Sequence, residues 1–256
     1  MKASTEFLET NPRRQSGVIE ELLGLKKEAR TTGVQNTAIG GLALDAATTA
    51  SNNTAIGMSA LSGATTGGLN VALGRDAMKN STTGSENVAI GAFALDAVTT
   101  QGAQTAVGYR ALSDNTTGSA NAAVGHESMF HNTTGSNNAA FGRLSLENNT
   151  GDSNTALGSL TLRQNEGSNN TAVGYNAMTS NTTGTQSVGI GAFTLDSNTT
   201  GNYNVGIGYG VLSNSTTASD NTATGLSAGS ATTTGARNTL IGRSVAESLT
   251  TGSDNI

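Results

Sequence analysis

Asn36-Thr37-Ala38-Ile39-Gly40 returns as Asn53-Thr54-Ala55-Ile56-Gly57, then as Asn70-Val71-Ala72-Leu73-Gly74 and Asn87-Val88-Ala89-Ile90-Gly91. The phrase ends on a glycine at 13 places, from Gly40 to Gly242. The step is 17 residues except for two steps of 16, Gly142 to Gly158 and Gly158 to Gly174. Such regularity means one small unit stacked on itself, because a globular domain with a unique core has no reason to repeat. Four places before the glycine stands Asn in all units but two, where Gln104 and Ser187 take its place. Four places after it comes Leu or Met, as in Leu44, Leu61, Met78 and Leu95, and the unit closes through Thr-Thr-Gly, as at 65–67 and 82–84.

Each unit reads as strand, glycine turn, short strand and polar turn. Glycine suits the corner because it adopts positive φ without a Cβ clash. Side chains alternate across a strand, so Thr37 and Ile39 share one face and Asn36 and Ala38 the other. A unit this small cannot bury its own apolar residues; stacked at about 4.8 Å, it places like on like. The expected core is Ile39, Leu44, Ile56, Leu61, Leu73, Ile90, Leu95, Val107, Val124, Leu157, Val173, Ile190 and Ile207. On the other face lies a row that is small almost everywhere: Ala38, Ala55, Ala72, Ala89, Ala106, Ala123, Ala140, Ala156 and Ala172. An outward row restricted to small residues is read as a close chain-to-chain seam; the alternative is tight packing against a neighbouring turn of the same coil. The expected fold class is therefore all-β: a parallel β-roll or β-solenoid of about 17 residues per coil over 33–256, trimeric, preceded by a short helical segment in 1–32.

Composition agrees with a thin stack. Of 256 residues only 35% are hydrophobic and 4% aromatic, against nearly half apolar in an ordinary domain. A net charge of −5 offers no footprint for nucleic acid or anionic lipid. Cysteine is absent, which rules out disulfides and thiolate zinc sites. No apolar stretch approaches the length of a membrane span, so membrane insertion is not expected. Between Val18 and Arg30, Val18, Leu22, Leu25 and Ala29 form one helical stripe widened by Ile19 and Leu23. Val18, Ile19, Leu22, Leu23 and Leu25 are read as a docking or trimerisation surface, the alternative being a short helix packed on the first repeat.

The phrases at 36–40, 87–91 and 121–125 resemble the head repeats of YadA-like trimeric autotransporter adhesins. Similar repeats occur in bacteriophage tail-fibre and other virion-fibre proteins, particularly with the added Thr-Thr-Gly-Ser-x-Asn phrase, as at 133–138. The resemblance covers residues 31–256 and implies a left-handed parallel β-roll with three chains to a fibre. The 17-residue unit is longer than is typical of the adhesin heads. The sequence also reads without a signal peptide, a stalk or a C-terminal anchor, and a virion released by lysis needs none of these. Thr251 to Ile256 begin a fourteenth unit, as in the proximal part of a longer fibre or an end capped by a partner. The expectation is a structural virion fibre, docked through its N-terminus to other tail, collar or capsid proteins, forming a homotrimer and meeting a host-surface glycan or protein. A bacterial trimeric surface adhesin is the alternative; an ice-binding protein, suggested by the Thr pairs, is the remote one.

Chemistry is sparse. His126 and His131 fall in one unit without a His-x-His pair, so neither a metal site nor a catalytic base is expected. Asp45, Asp96 and Asp196 share one place in the unit but sit on separate coils, too far apart for a carboxylate dyad. No calcium-binding Gly-Gly-x-Gly-x-Asp phrase and no phosphate loop occurs, so no enzyme activity and no cofactor is expected. Just after the corner glycine the residue varies most. Tyr109, Tyr175 and Tyr209 there could offer stacking surface to sugars, or wedge between chains.

Overall fold

The computed structural model describes residues 32–256; the helix expected within 18–30, with Val18, Ile19, Leu22, Leu23 and Leu25, lies outside the described residues. Thirteen three-residue strands stack in chain order into one parallel sheet. They are β1 (Thr37–Ile39), β2 (Thr54–Ile56), β3 (Val71–Leu73), β4 (Val88–Ile90), β5 (Thr105–Val107), β6 (Ala122–Val124), β7 (Ala139–Phe141), β8 (Thr155–Leu157), β9 (Thr171–Val173), β10 (Val188–Ile190), β11 (Val205–Ile207), β12 (Thr222–Thr224) and β13 (Thr239–Ile241). Thr37 lies opposite Thr54, Ala38 opposite Ala55 and Ile39 opposite Ile56. The protein is a β-solenoid, roughly 60 Å long at the usual strand spacing.

The other walls of the coil are laddered too. Gly108 donates its N–H to Ile90 O at 2.7 Å, Leu112 to Ser128 O at 2.9 Å, and Thr65 to Thr82 O at 2.9 Å. Register survives the two short rungs, with Ala140 opposite Ala156 and Ala156 opposite Ala172. The missing residue is absorbed in the polar turn, where Asn132-Thr133-Thr134-Gly135 contracts to Asn149-Thr150-Gly151 and Asn165-Glu166-Gly167.

Corners demand glycine. The anchor glycines have φ between +124° (Gly191) and +145° (Gly142), and a Cβ on Gly108 would stand 2.3 Å from Gly125 O. The Leu/Met row also occupies the left-handed region, at φ 48° (Leu162) to 55° (Leu95). That conformation costs about 1–2 kcal/mol for an L-residue. Burying the side chain contributes about 1.5–3 kcal/mol, so the strain is tolerated.

The core is narrower than the hydropathy pattern implies, and this reverses the expected faces. Leu44, Leu61 and Leu95 are buried as expected. Ile39, Ile90, Leu157, Ile190 and Ile207 are exposed, and Ile56, Leu73, Val107, Val124 and Val173 are half-buried on the same outer face. The alanines from Ala38 to Ala172 line the inside instead: Ala55 through Ala172 are fully buried within a single chain, so they are no seam between chains. The cause is the opposite wall. A Cβ at Gly189, in the alanine row, would already stand 3.0 Å from Met178 Cγ, so the Leu/Met side chains reach across and leave room for nothing larger than Ala. Where the wall retreats, the row grows: Gly229 replaces Leu, and Leu240 replaces Ala beside it, its Cδ1 2.6 Å from where a Gly229 Cβ would be.

Asparagine fills the rest of the interior. Asn70 Oδ1 accepts the Asn87 N–H at 3.0 Å while its Nδ2 donates to Gly84 O at 2.8 Å, and the pattern repeats along the row. Gln104 keeps both halves of it, accepting the Asn121 N–H and donating to Gly118 O, while Ser187 keeps only the acceptor for the Asn204 N–H. A second buried ladder runs through Asn115, Asn132, Asn149, Asn165, Asn181 and Asn198, each amide donating to the oxygen before it, as Asn149 does to Asn132 at 3.0 Å. Most buried amides are thereby satisfied by repetition, Asn198 Oδ1 at the end of the second ladder being left without a partner.

Candidate functional site

With small and amide side chains turned inward, the chemically varied residues lie outside, on two adjoining surfaces. The first is the outer face of the sheet. Its two rows are Thr, Val or Ala at the first position of each strand and Ile, Val, Leu or Phe at the third, Thr224 being the polar exception. The aliphatic row runs the whole length without a gap until β12, and Ile241 at its end is 71% exposed. Two side chains wide and thirteen rungs long, the face measures roughly 60 Å by 7 Å, or about 400 Å². That is the size of the largest apolar patch on a typical single chain, a patch that often serves an interaction, and Thr fills seven of the thirteen positions of its first row.

The second surface begins past the corner glycine. Arg75 lies over the Phe93 ring at 4.6 Å, Phe93 meets Tyr109 edge-on at 6.2 Å, and Tyr109 lies 5.2 Å from His126. Farther along, Tyr175, Phe193 and Tyr209 follow one another at 5.4 and 5.6 Å. Sequence places these residues one or two positions after their glycines; stacking at rung spacing joins them into stripes. Tyr109, Tyr175 and Tyr209 are all exposed.

Around Tyr109 the stripe opens into a groove of about 350 Å³ lined by Phe93, Asp96, Tyr109, Arg110, Ser113 and Asp114. Ser113 Oγ donates to Asp96 Oδ1 at 2.6 Å, and His131 Nδ1 lies 2.6 Å from Asp114 Oδ2. Arg110 covers Phe130 at 3.9 Å. Burial pushes the Asp96 carboxyl above its ordinary value, partly offset by the Ser113 hydroxyl. Asp196 is likewise raised by burial, opposed by the backbone N–H groups of Asp196 and Ser197. The serine is thus committed to one carboxylate and the histidine to another. His126 sits apart, 3.4 Å from Glu127. Asp45, Asp96 and Asp196 lie on separate rungs, as their spacing requires.

Among the described residues no group of three or more His, Cys, Asp or Glu could hold a metal ion, and no helix is long and apolar enough to cross a membrane. The exposed aliphatic face is the feature that sequence reasoning misplaced. Its signal was the partner row: Thr and Val share a face with Ile, which suits an outer sheet surface, whereas Asn beside Ala suits a narrow, hydrogen-bonded interior. Comparison with protein-family models, curated proteins and solved structures finds no match.

Proposed function

We propose that this chain is the shaft of a trimeric bacteriophage virion fibre, docked to the particle through residues 1–32 and carrying its outer surface toward the host cell. The observation that carries the reading is the apolar row on the outer face of the sheet, broken only at Thr224. A surface of this length with one aliphatic side chain per rung is matched by a partner of the same rise, and a second copy of the chain has that rise by construction. Three copies packed through Ile39, Ile90, Ile190 and their neighbours would shelter what each leaves exposed. The virion setting draws on the repeated Asn-x-Ala-x-Gly and Thr-Thr-Gly-Ser-x-Asn phrases and their likeness to fibre repeats. Cryo-electron microscopy of purified particles tests it: three chains per appendage, N-termini at the body, is the expected result, and a particle lacking the chain overturns it.

A bacterial trimeric surface adhesin is favoured by the same apolar face, and immunolabelling of intact bacterial cells instead of virions would select it. Ice binding finds an obstacle in the turns: the hydroxyls of Thr65, Thr82, Thr116 and Thr182 donate to the carbonyl of the next rung, which removes them from any flat outward array.

A further inference from the structure

Packing requires every rung to be alike, yet the outer corner repeats on a longer period. The acidic residue five places after the glycine recurs every third rung, at Asp45, Asp96, Glu147, Asp196 and Glu247. Within that period one site is written twice. Residues 88–96 (Val-Ala-Ile-Gly-Ala-Phe-Ala-Leu-Asp) and 188–196 (Val-Gly-Ile-Gly-Ala-Phe-Thr-Leu-Asp) agree at 7 of 9 positions, and the following rungs share Gly108-Tyr109 with Gly208-Tyr209 and Leu112-Ser113 with Leu212-Ser213. The stack needs glycine and leucine at these places, but its interior does not call for the exposed Tyr or the half-buried Phe and Asp.

The two copies place their rings similarly and differ at the carboxylate. Phe93 and Tyr109 stand at 90° with centroids 6.2 Å apart; Phe193 and Tyr209 stand at 69° and 5.6 Å. Each wedge has a half-buried carboxylate three residues beyond its Phe. Asp96 already holds the Ser113 hydroxyl, while Asp196 Oδ1 is buried with no hydrogen-bond partner, which leaves an acceptor unsatisfied beside the second wedge. Tyr109 and Tyr209 are 43% and 56% exposed, so part of each ring is open to a ligand, with His126 covering part of the Tyr109 ring at 5.2 Å.

We infer that Phe93–Tyr109–Asp96 and Phe193–Tyr209–Asp196 are two equivalent saccharide-binding sites that engage one extended polysaccharide along the shaft. An exposed ring accepts the C–H face of a pyranose, and a carboxylate beside it accepts a sugar hydroxyl. The open groove beside Tyr109 suits a chain lying across the surface. Six rungs separate the sites, roughly 29 Å at the usual strand spacing, so a polymer can span both whereas a short oligosaccharide fills one. This deepens the host-contacting role proposed above and rests on it.

The test is a printed panel of bacterial capsular and O-antigen polysaccharides probed with the full chain, followed by titration with the polymer that binds and with its short fragments. Tyr109→Ala and Tyr209→Ala are each expected to weaken polymer binding about tenfold, and the double variant a hundredfold or more. Tyr203→Ala, at a different exposed station, leaves binding unchanged. Deleting 143–158, one whole rung between the sites that touches neither, lowers affinity for the polymer but not for short fragments. A panel wholly unbound, a double variant that binds like the parent, or an equal loss in Tyr203→Ala overturns the inference. So does a change of oligomeric state in the tyrosine variants by sedimentation, which would place the rings in a chain–chain seam. A trimer that binds no polysaccharide defeats this inference and leaves the fibre reading standing; a polysaccharide-binding monomer does the reverse.

Discussion

Asn70 shows how single residues hold the stack. Its side chain satisfies one donor and one acceptor of the next rung, and no solvent reaches either. Asn70→Ala strands both, and a loss of about 2–4 kcal/mol is expected, measured by denaturant unfolding. Ser187 offers the reverse case. It keeps the oxygen that Asn204 needs but has no amide for Gly201 O, which Asn198 alone serves at 3.1 Å. Asp196 supplies a pH dependence. Burial raises its folded pKa above the unfolded value near 3.8, so the folded chain holds the proton more tightly. Stability is then highest below that value, falls as pH rises through the folded pKa, and is flat above it. Asp196→Asn is expected to raise the melting midpoint at pH 7, with the gain vanishing in acid. An equal gain at pH 3 and pH 7 would contradict the assignment.

At the scale of one rung, the corner decides. A Cβ on Gly108 would collide with the backbone of the rung above, so Gly108→Ala should yield a chain that fails to stack, seen as lost sheet signal in circular dichroism. Gly41 has no neighbour within 4 Å of a Cβ and no positive φ, so Gly41→Ala should be neutral or stabilise by about 0.4–1 kcal/mol. Rung length, strand position, corner glycine and the buried Leu row were legible in the sequence, because each recurs at one phase. The inside and outside of the strand were not. Alternation is symmetric under exchange of faces, and hydropathy favours Ile over Ala for the interior. What breaks the tie is the width of the coil, fixed by leucines on the opposite wall, a distance no single strand encodes. The Asn ladder was not legible for a similar reason: it exists only between rungs. Tyr109, Tyr175 and Tyr209 could be placed after their glycines, but the stripes they join depend on the stacking register.

For the whole molecule, the outer sheet face and the interior should respond differently to charge. Ile90→Lys with Ile190→Lys changes two exposed positions, so the single chain should still fold, while analytical ultracentrifugation should show monomers in place of trimers. A trimer that survives the double change would move the seam elsewhere. Removal of residues 126–142 takes out one complete rung and rejoins equivalent corners, so the shortened chain should fold with twelve strands; removing half a rung should not. The same interchangeability reaches the gene. Unequal crossing-over between near-identical stretches of DNA would insert or discard rungs whole and still encode a foldable product. Related chains would then differ in length by multiples of about 4.8 Å, a ruler graduated by recombination.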